Sequence, residues 1–508
     1  LSLPPTRPPC PPLPNHIAAL LPPAWGHVVS YLHIAMQMLK KDTTLGITIV
    51  TSALVVGRLD AELRLRILPF GQKDLPFGPT AYKEAFEQVL AGWMETIPQL
   101  AQGADEWPKP HTIHVDFFAG GPVFEPTKQI LGPDCKILVW FSASLASMPS
   151  HLTDYDFGAI VEEIYADESR RENRSKEVIL QQVGDAWNGS DRLSGVVVKF
   201  PGVPDMYDYE RLAYGGGPPP PGLGTLFSLT QKMCKSVDGF IAVTSSCLEP
   251  VAIPYCRQFY KERGQELFAV GMQAHELCWD PAQPIQLSNQ TIKSFLDKAA
   301  SEHGSRSVLY ISFGSLFFPV ATPGHVEALI DTLLNLQQPF PFVLALGGPM
   351  ASLPQELIER VNATGKGLIC DFWVEQRATL QHKSVGWFLT HGGFNSVSEA
   401  LVQGIPLIVW PCGGEQPINA ALFSSGPNPI GIELLQIRAG PAVGPSLRGG
   451  PKITGTVEDA TEEFKAVFTD ARGARGATLR ANAQKLSEGL REARAGEAAE
   501  ELVRLSKF

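Results

Sequence analysis

Short apolar runs alternate with segments of helical spacing along most of the chain. The first run, residues 16–21, ends at Pro22-Pro23, and the apolar residues of the following "GHVVSYLHIAMQMLK" recur every three to four positions, as in a helix. A second apolar run, Leu45–Leu54, comes next. The chain is therefore predicted to open with a strand–loop–helix–strand unit whose strands are parallel and buried.

The same alternation predicts further strands in both halves of the chain. Those of the N-terminal half are His111–Phe118, which runs from a strand into a loop, Cys135–Ser144, Gly239–Ser246 and Glu266–Met272. Those of the C-terminal half are Ser307–Ser315, Pro341–Gly348, Gly367–Trp373, Val385–His391 and Ile405–Pro411. Residues 280–290 are polar, contain prolines and lack periodicity, which is typical of a linker. Two stretches of strand–helix alternation joined by a linker predict an α/β protein with two Rossmann-like domains.

This pattern divides the chain into five parts. They are a Pro-rich leader over residues 1–15, an N-terminal domain over 16–279, a linker with a short helix over 280–300, a C-terminal domain over 301–476 and charged helices over 477–508. Two Gly/Pro-rich stretches, Tyr214–Gly224 and Ile437–Gly455, are predicted to be loops, the second a surface loop or an insertion.

Composition and charge exclude several classes of protein. A length of 508 residues with 44% hydrophobic and 19% charged residues indicates a globular protein of more than one domain. A net charge of −10, with scattered Lys and Arg, excludes a large nucleic-acid interface. The sequence contains no apolar run of 18 residues, so no transmembrane helix is predicted. The leader lacks the apolar region of a signal peptide. The eight cysteines form no CxxC pair, so we expect reduced, packed thiols and a cytoplasmic location.

The stretch "HGGFNSVSE", His391–Glu399, places polar residues where a strand should turn into a helix. Its two glycines allow close approach of a ligand to the backbone, and a helix N-terminus offers unpaired N–H groups and a positive dipole end. Asn395 and Ser396 add donors, and His391 adds a further donor, with charge if it is protonated. These features predict a pyrophosphate site, with Glu399 placed to accept from ribose hydroxyls. The alternative is that Asn395 or Ser396 merely caps the helix.

Two other strand ends carry candidate binding side chains. Trp373 is suited to stack on a nucleobase, although a core position is the commoner fate of a Trp. Glu415 and Gln416 form an acid–amide pair that suits the recognition of hydroxyl groups, and the alternative is a solvated turn.

These residues carry a family resemblance. The 44 residues from Trp373 to Gln416 resemble, without a gap, the signature box of the family 1 UDP-sugar glycosyltransferases. The matching positions are Trp373, Gln376, His391, Asn395, Ser396, Glu399, Glu415 and Gln416. The box departs from the family at Glu375, where Pro is usual, and at Phe394, where Trp is usual.

The resemblance implies a GT-B fold, in which two Rossmann-like domains face each other across a cleft and the C-terminal one holds the donor. It implies that Trp373 stacks on uracil, that Gln376 helps to hold the uridine, that His391, Asn395 and Ser396 bind the diphosphate, that Glu399 binds the ribose, and that Glu415 and Gln416 bind the sugar hydroxyls. It adds Gly314, Ser315, Gly393 and the backbone N–H of Phe394 to the donor-binding set. In the family, a Gln at the last position of the box, here Gln416, implies UDP-glucose as the donor.

The catalytic residues are expected in the N-terminal half. His27 follows the first strand on a Gly-containing turn. Histidine is the residue type best suited to act as a general base near neutral pH. The alternative is that His27 is merely a solvent-exposed residue of the turn. The resemblance implies that His27 is that base and that Asp116 supports its protonated form. Asp116 could instead cap a helix. A metal site with His111 and His114 is not expected, because His111 points to the other face of the strand and leaves a ligand missing.

The resulting hypothesis is an inverting transferase that moves a hexose, glucose by preference, from a UDP-sugar to a hydroxyl of a small apolar acceptor. The UDP-sugar is a co-substrate, and neither a cofactor nor a metal is expected. Apolar residues around Phe77–Trp93 favour a sterol, lipid, terpenoid or phenolic acceptor. Two alternatives stay open. One is a non-catalytic UDP-sugar-binding protein, which would not need His27 and Asp116, and the other is a nucleotide-sugar epimerase, which would not need the Glu415–Gln416 ending.

Overall fold

The described part of the chain covers nine segments of the computed structural model. They are residues 13–56, 64–72, 79–104, 107–153, 155–188, 193–213, 222–280, 285–348 and 350–508. The predicted leader up to residue 12, the predicted loop up to residue 221 and residues 281–284 of the predicted linker lie outside these segments.

The N-terminal half is built on a seven-stranded parallel sheet. Its strands are β1 (Asn15–Leu20), β2 (Leu45–Ser52), β3 (Leu65–Phe70), β4 (Thr112–Asp116), β5 (Lys136–Phe141), β8 (Gly239–Ala242) and β9 (Glu266–Ala269), and a separate antiparallel pair is formed by β6 (Val197–Val198) and β7 (Met206–Tyr207). The strand order is β3-β2-β1-β4-β5-β8-β9. In the register, Ile17 of β1 lies between Ile47 of β2 and Thr112 of β4. The sheet therefore places the carboxyl ends of β1, β4 and β5 side by side.

The C-terminal half is built on a six-stranded parallel sheet. Its strands are β10 (Val308–Ser312), β11 (Phe342–Ala345), β12 (Gly367–Cys370), β13 (Val385–Thr390), β14 (Leu407–Val409) and β15 (Gly431–Glu433). The order β12-β11-β10-β13-β14-β15 brings the ends of β10, β13 and β14 together. With helices between their strands, the two sheets form two Rossmann-like domains.

Helices alternate with the strands in both halves. Those of the N-terminal half are α1 (Trp25–Lys41), α2 (Ala53–Val56), α3 (Pro79–Gln102), α4 (Phe117–Leu131), α5 (Ser150–Thr153), α6 (Phe157–Ala166), α7 (Glu168–Arg171), α8 (Lys176–Asn188), α9 (Leu223–Cys234) and α10 (Ala252–Lys261). Those of the C-terminal half are α11 (Gln290–His303), α12 (Pro323–Asn335), α13 (Gln355–Thr364), α14 (Gln376–Gln381), α15 (Phe394–Leu401), α16 (Gln416–Ser424), α17 (Val457–Arg472), α18 (Ala474–Ala495) and α19 (Glu497–Ser506). None of the helices in the described segments combines the length and the hydrophobicity that crossing a membrane requires.

One apolar core runs between the two halves. The apolar face of α1, predicted from its spacing, is buried with Tyr31 and Ile34 fully enclosed. The same cluster contains Phe394 of α15 and Leu505 of α19. The last helix lies against the first sheet, where Arg504 donates to Glu266 of β9 over 2.8 Å. The N-terminal half and the C-terminal half are thus packed together through α1, α15 and α19.

Three features differ from the pattern-based expectations. The strands β3, β6, β7 and β15 were not predicted. The predicted loop after the strand at residue 111 is absent, because α4 begins at Phe117 directly after β4 ends at Asp116. The stretch Ile437–Gly455, predicted to be a surface loop, has the fully buried residues Ile437, Arg438 and Ile453.

Part of the stretch 437–455 packs on the first half of the chain through charged groups. Four side chains make up this interdomain charge cluster, which consists of Glu210, Glu433, Arg438 and Arg448. Arg438 donates to Glu433 over 2.6 Å and to the backbone oxygens of Glu210 and Leu212. A residue of the predicted insertion therefore joins the two halves.

Six of the seven cysteines in the described segments are buried and Cys247 is exposed, and all seven are free thiols.

Candidate active site

His27 and Asp116 lie in direct contact at the carboxyl ends of β1 and β4. His27 Nδ1 is 2.7 Å from Asp116 Oδ2, and the Asp116 side chain is fully buried. The other oxygen, Oδ1, accepts from the backbone N–H of Phe118 over 2.9 Å and so caps α4. Asp116 thus fills both of the positions considered for it, one with each oxygen.

The contacts of His27 occupy Nδ1 and leave Nε2 as the ring nitrogen that can accept a proton. Burial lowers the pKa of His27, but the Asp116 carboxylate raises it more and Glu415 adds to the rise, so the pKa lies above its ordinary value. Ser142 Oγ also lies 3.1 Å from Nδ1. Because Nδ1 is engaged by Asp116 and Ser142, the neutral ring carries its proton there, and Nε2 is the basic nitrogen. With a side chain 23% exposed, His27 is neither a core residue nor a free surface residue.

The turn that carries His27 meets the C-terminal domain. A Cβ atom on Gly26 would lie only 2.8 Å from Asn395 Nδ2, so a glycine is needed for this approach. Asn395 belongs to α15, and Glu415 is close enough to His27 to affect its pKa. The His27–Asp116 pair therefore faces the segment predicted to bind the donor.

The N-terminus of α15 is open. Its N-cap is Gly393, and no side chain caps it, so neither Asn395 nor Ser396 acts as the cap considered above. Both side chains are half-buried on the first turn. The unpaired N–H groups and the positive dipole end remain for an anion.

His391 follows β13 and is only 7% exposed. Burial lowers the pKa of His391 to about 4, against a smaller rise from its hydrogen bond with the Ser312 backbone. His391 is therefore neutral near pH 7. It can donate an N–H to a ligand, but it does not supply the positive charge that a protonated histidine would add. The loop after β10 lies beside it, because a Cβ on Gly314 would be 2.6 Å from His391 Cε1. Gly314 has a φ of +76°, which favours glycine, and Ser315 follows it.

Three residues were predicted to bind the nucleoside, namely Trp373, Gln376 and Glu399. Trp373 is 49% exposed after β12, so it does not occupy the core position that was its alternative. Gln376 Nε2 donates to Glu399 Oε2 over 2.8 Å and lies 3.4 Å from Ser396 Oγ. Burial raises the pKa of Glu399, and Arg377 and Gln376 act against that rise.

Gln416 is 2% exposed, so it is not part of a solvated turn. Its Oε1 accepts from the backbone N–H groups of Cys412 (2.8 Å) and Gly413 (3.0 Å). These bonds fix the orientation of the amide and direct Nε2 away from that turn. Glu415 is half-buried, and burial raises its pKa.

The two departures from the family box have separate structural explanations. Glu375 points towards the linker, where it accepts from the backbone N–H and the hydroxyl of Ser288 over 2.8 and 2.9 Å. Phe394 is 2% exposed in the core that joins the halves, and it offers its backbone at the first turn of α15. Each of the two side chains is therefore held by contacts within the protein.

Three contacting residues were missed by the sequence reasoning. Ser142 touches His27, the Tyr310 hydroxyl donates to Gln376 over 3.4 Å, and Arg377 Nε lies 3.5 Å from Glu399 Oε1. Ser142 directly follows β5, so the rule that polar residues at strand ends form the site would have included it. Tyr310 lies within a strand and gave no such signal.

The described segments contain no group of three or more His, Cys, Asp or Glu side chains that could hold a metal ion. His114 is instead engaged by Tyr31, whose hydroxyl lies 2.7 Å from its Nδ1.

Residues 282–433 match the family model described as "UDP-glucoronosyl and UDP-glucosyl transferase". Over 510 aligned residues, the chain is 28% identical to UDP-glycosyltransferase eriJ from Hericium erinaceus, covering 94% of this chain and 95% of that protein. It is 41% identical to a flavonoid 3-O-glucosyltransferase from Medicago truncatula over 125 residues, which is 24% of this chain and 26% of the other. The similarity to the first protein thus extends over nearly the whole chain, whereas the similarity to the second is higher but covers about a quarter of it.

Solved structures share the fold. The chain superimposes on Medicago truncatula UGT71G1 complexed with UDP-glucose with a TM-score of 0.68 at 19% identity, over 97% of this chain and 98% of that one. A UDP-glucosyltransferase from Polygonum tinctorium that glucosylates indoxyl gives a TM-score of 0.67 at 19% identity, over 99% of both chains.

Proposed function

Because the chain belongs to the UDP-glycosyltransferase family, we propose that it transfers glucose from UDP-glucose to a hydroxyl of a small apolar acceptor, with inversion at the anomeric carbon. Transfer of a sugar from a UDP-sugar to an acceptor is the activity of the family. The choice of glucose, the inversion and the class of acceptor are parts of the proposal.

One observation carries the mechanism. The His27–Asp116 pair belongs to the first domain, yet its turn is in van der Waals contact with Asn395 of the second. A base on one side of the cleft thus faces the residues proposed to bind the diphosphate on the other. This is the arrangement that an in-line displacement between an acceptor and a UDP-sugar requires.

In the proposed reaction, His27 Nε2 removes the proton of the acceptor hydroxyl as its oxygen attacks the anomeric carbon. The new bond between oxygen and carbon forms on the face opposite the diphosphate while the bond from carbon to the diphosphate oxygen breaks. An α-linked donor therefore gives a β-linked product. Asp116 stabilises the imidazolium that forms, as in other His–Asp pairs.

The departing UDP carries the negative charge that develops in the transition state. We assign its stabilisation to the N–H groups at the start of α15, to Asn395 and Ser396, and to neutral His391 with Gly314 and Ser315. Prearranged donors of this kind lower the barrier because they need no reorganisation during the reaction. Gln416 Nε2 and the Glu415 carboxylate are proposed to bind the glucose hydroxyls.

The proposal of an apolar acceptor rests on a row of aromatic rings that starts at the base. The rings of His27 and Phe118 are 5.8 Å apart, those of Phe118 and Phe227 5.9 Å, and those of Phe227 and His151 6.0 Å in a stacked arrangement. Burial lowers the pKa of His151 to about 4, so this ring is neutral near pH 7. A wall of uncharged rings favours a planar or hydrophobic acceptor over a sugar.

The function is tested by measuring UDP release from UDP-glucose with and without a mixture of phenols, terpenoids and sterols, with products identified by mass spectrometry. We expect release that depends on the acceptor, and masses increased by one hexose. Release without an acceptor, or products formed only from small polar sugars, would contradict the proposed acceptor class. Binding of UDP without any turnover would favour the binding-protein alternative.

Replacing Trp373 with alanine is expected to weaken UDP binding about tenfold, because stacking of a base on an aromatic ring contributes on the order of 1–3 kcal/mol. Isothermal titration calorimetry with UDP measures the change. The neighbouring Phe372, which is also exposed, provides a matched control, and Phe372→Ala should leave the affinity unchanged. Equal losses in the two variants would rule out a specific stack on Trp373.

A further inference from the structure

The Glu399 carboxylate is held by two neighbouring side chains before any ligand binds. Gln376 Nε2 donates to Oε2 over 2.8 Å, and Arg377 Nε lies 3.5 Å from Oε1. A carboxylate offers about four lone-pair sites, so each oxygen keeps one site for a further donor. The carboxylate is therefore oriented without being saturated.

The Glu399 side chain is only 16% exposed, so its negative charge needs a compensating group. Burial raises the pKa of Glu399, and the first of the groups that oppose this rise is Arg377. Within the described segments, Arg377 is the only cationic side chain in ion-pair contact with Glu399. Loss of this cation would favour the protonated acid, which has fewer acceptor sites for ribose hydroxyls.

Other groups near the pair do not replace Arg377. His33 of α1 and His275 are close enough to Arg377 for its charge to affect them, and burial lowers the pKa of both, to about 3 for His33. Burial raises the pKa of Tyr310 and of Cys278, and the Glu399 charge raises each pKa further. Both groups therefore stay neutral near pH 7. The charge balance around Glu399 near pH 7 therefore rests on Arg377.

We propose that Arg377 is a positioning residue of the donor site, which holds the Glu399 carboxylate in the orientation and the charge state that the ribose hydroxyls require. The proposal rests on the proposed function, in which Glu399 accepts from the ribose. Arg377 itself need not touch the donor. Its effect is confined to the nucleoside half of the donor, away from the proton transfer at His27.

The test compares the binding of UDP and of 2′,3′-dideoxy-UDP to the full chain by calorimetry between pH 6 and pH 8. Both probes carry the same uracil and diphosphate, so the ratio of their affinities isolates the ribose hydroxyls and cancels titration of the phosphates. The variants are Arg377→Met, Arg377→Lys and, as a control, Arg360→Met. Arg360 makes an exposed ion pair with Asp331, away from the proposed site.

We expect Arg377→Met to weaken UDP binding about tenfold at pH 7, because hydrogen bonds to a charged group are lost, and to leave dideoxy-UDP binding unchanged. The loss should grow as the pH falls from 8 to 6, because Glu399 becomes protonated more readily without the cation. Arg377→Lys should restore most of the discrimination, and Arg360→Met should behave as the wild type.

Two results would overturn the inference, and they differ from failure of the proposed function. If the wild type prefers UDP to dideoxy-UDP and Arg377→Met keeps the same preference at every pH, Arg377 does not position Glu399. Equal weakening of both probes would indicate a general structural role and would also overturn it. If the wild type itself shows no preference, the ribose role of Glu399 fails, and the inference fails with it.

Discussion

Replacing His27 with alanine is expected to lower kcat by about 10²–10⁴-fold, the usual contribution of a general base, while UDP binding is retained. The base is lost, but Asn395, Ser396 and the start of α15, which are assigned to the diphosphate, remain. Stopped assays of UDP release give kcat, and calorimetry with UDP gives the affinity. Unchanged turnover in His27→Ala would overturn the mechanism.

The pH profile separates the base from a merely structural histidine. The base must be neutral to accept a proton, so kcat/KM should fall as the pH drops through the raised pKa of His27. Asp116→Asn removes the charge that raises this pKa, and the acidic limb should therefore move to lower pH while the plateau falls. Asparagine keeps an oxygen that can cap α4 at Phe118, so a loss of folding is not expected. A limb that does not move would mean that another group controls the profile.

The sequence predicted the architecture because the periodicities of buried parallel strands and of amphipathic helices are local. β13, for example, is a mostly apolar run that is followed by His391 and a glycine pair, and such a run has few other interpretations. β15 has only three residues, and it is a strand because β14 pairs with it. A contact of that kind leaves little trace in its own few residues.

The same distinction between local and distant contacts applies to the candidate site. The spacing from Trp373 to Gln416 led to most of the predicted donor-binding residues, because the segment contains three strand ends and the polar residues that follow them. His27 and Asp116 are 89 positions apart, and their 2.7 Å contact follows from the adjacency of β1 and β4. That adjacency entered the prediction only through the family resemblance. The two roles of Asp116 depend on where its two carboxylate oxygens lie, one beside His27 and the other beside the Phe118 N–H. No local sequence pattern indicates that arrangement.

The interdomain charge cluster is a contact that pattern reasoning did not predict. Glycines and prolines in residues 437–455 indicated a surface loop or an insertion, and much of the stretch is exposed. Its Arg438, however, is fully buried, and the side chains of Glu433 and Arg448 are only 4% and 16% exposed. The charges are tolerated because two arginines meet two glutamates, one of which, Glu210, comes from the other half of the chain. Ser446 and the Leu447 N–H also bond to Glu210, over 2.5 and 3.0 Å. Burial of these charged residues therefore depends on a partner more than 200 residues away.

Replacing Glu433 with glutamine is expected to destabilise the fold by about 3–5 kcal/mol, because it leaves two buried arginines with a single anionic partner. The midpoint of thermal unfolding should fall by roughly 6–20 °C, at about 2–4 °C per kcal/mol for a domain of 150–250 residues. Since the cluster joins the two halves, the variant should also unfold in two separated steps. Differential scanning calorimetry measures both effects.

The dependence of this loss on pH follows from the direction of the pKa shift. Burial raises the pKa of Glu433, but Arg438 and Arg448 lower it more, so the folded-state pKa lies below that of the unfolded chain. The advantage of the wild type over Glu433→Gln should be full above pH about 4.3, the ordinary pKa of glutamate, and should shrink as the pH falls further. Asp470→Asn breaks the exposed ion pair with Arg475 and should cost less than about 1 kcal/mol, with no separation of the transitions. If Glu433→Gln costs no more than this control, the cluster does not hold the two halves together, and the buried arginines must be compensated in another way.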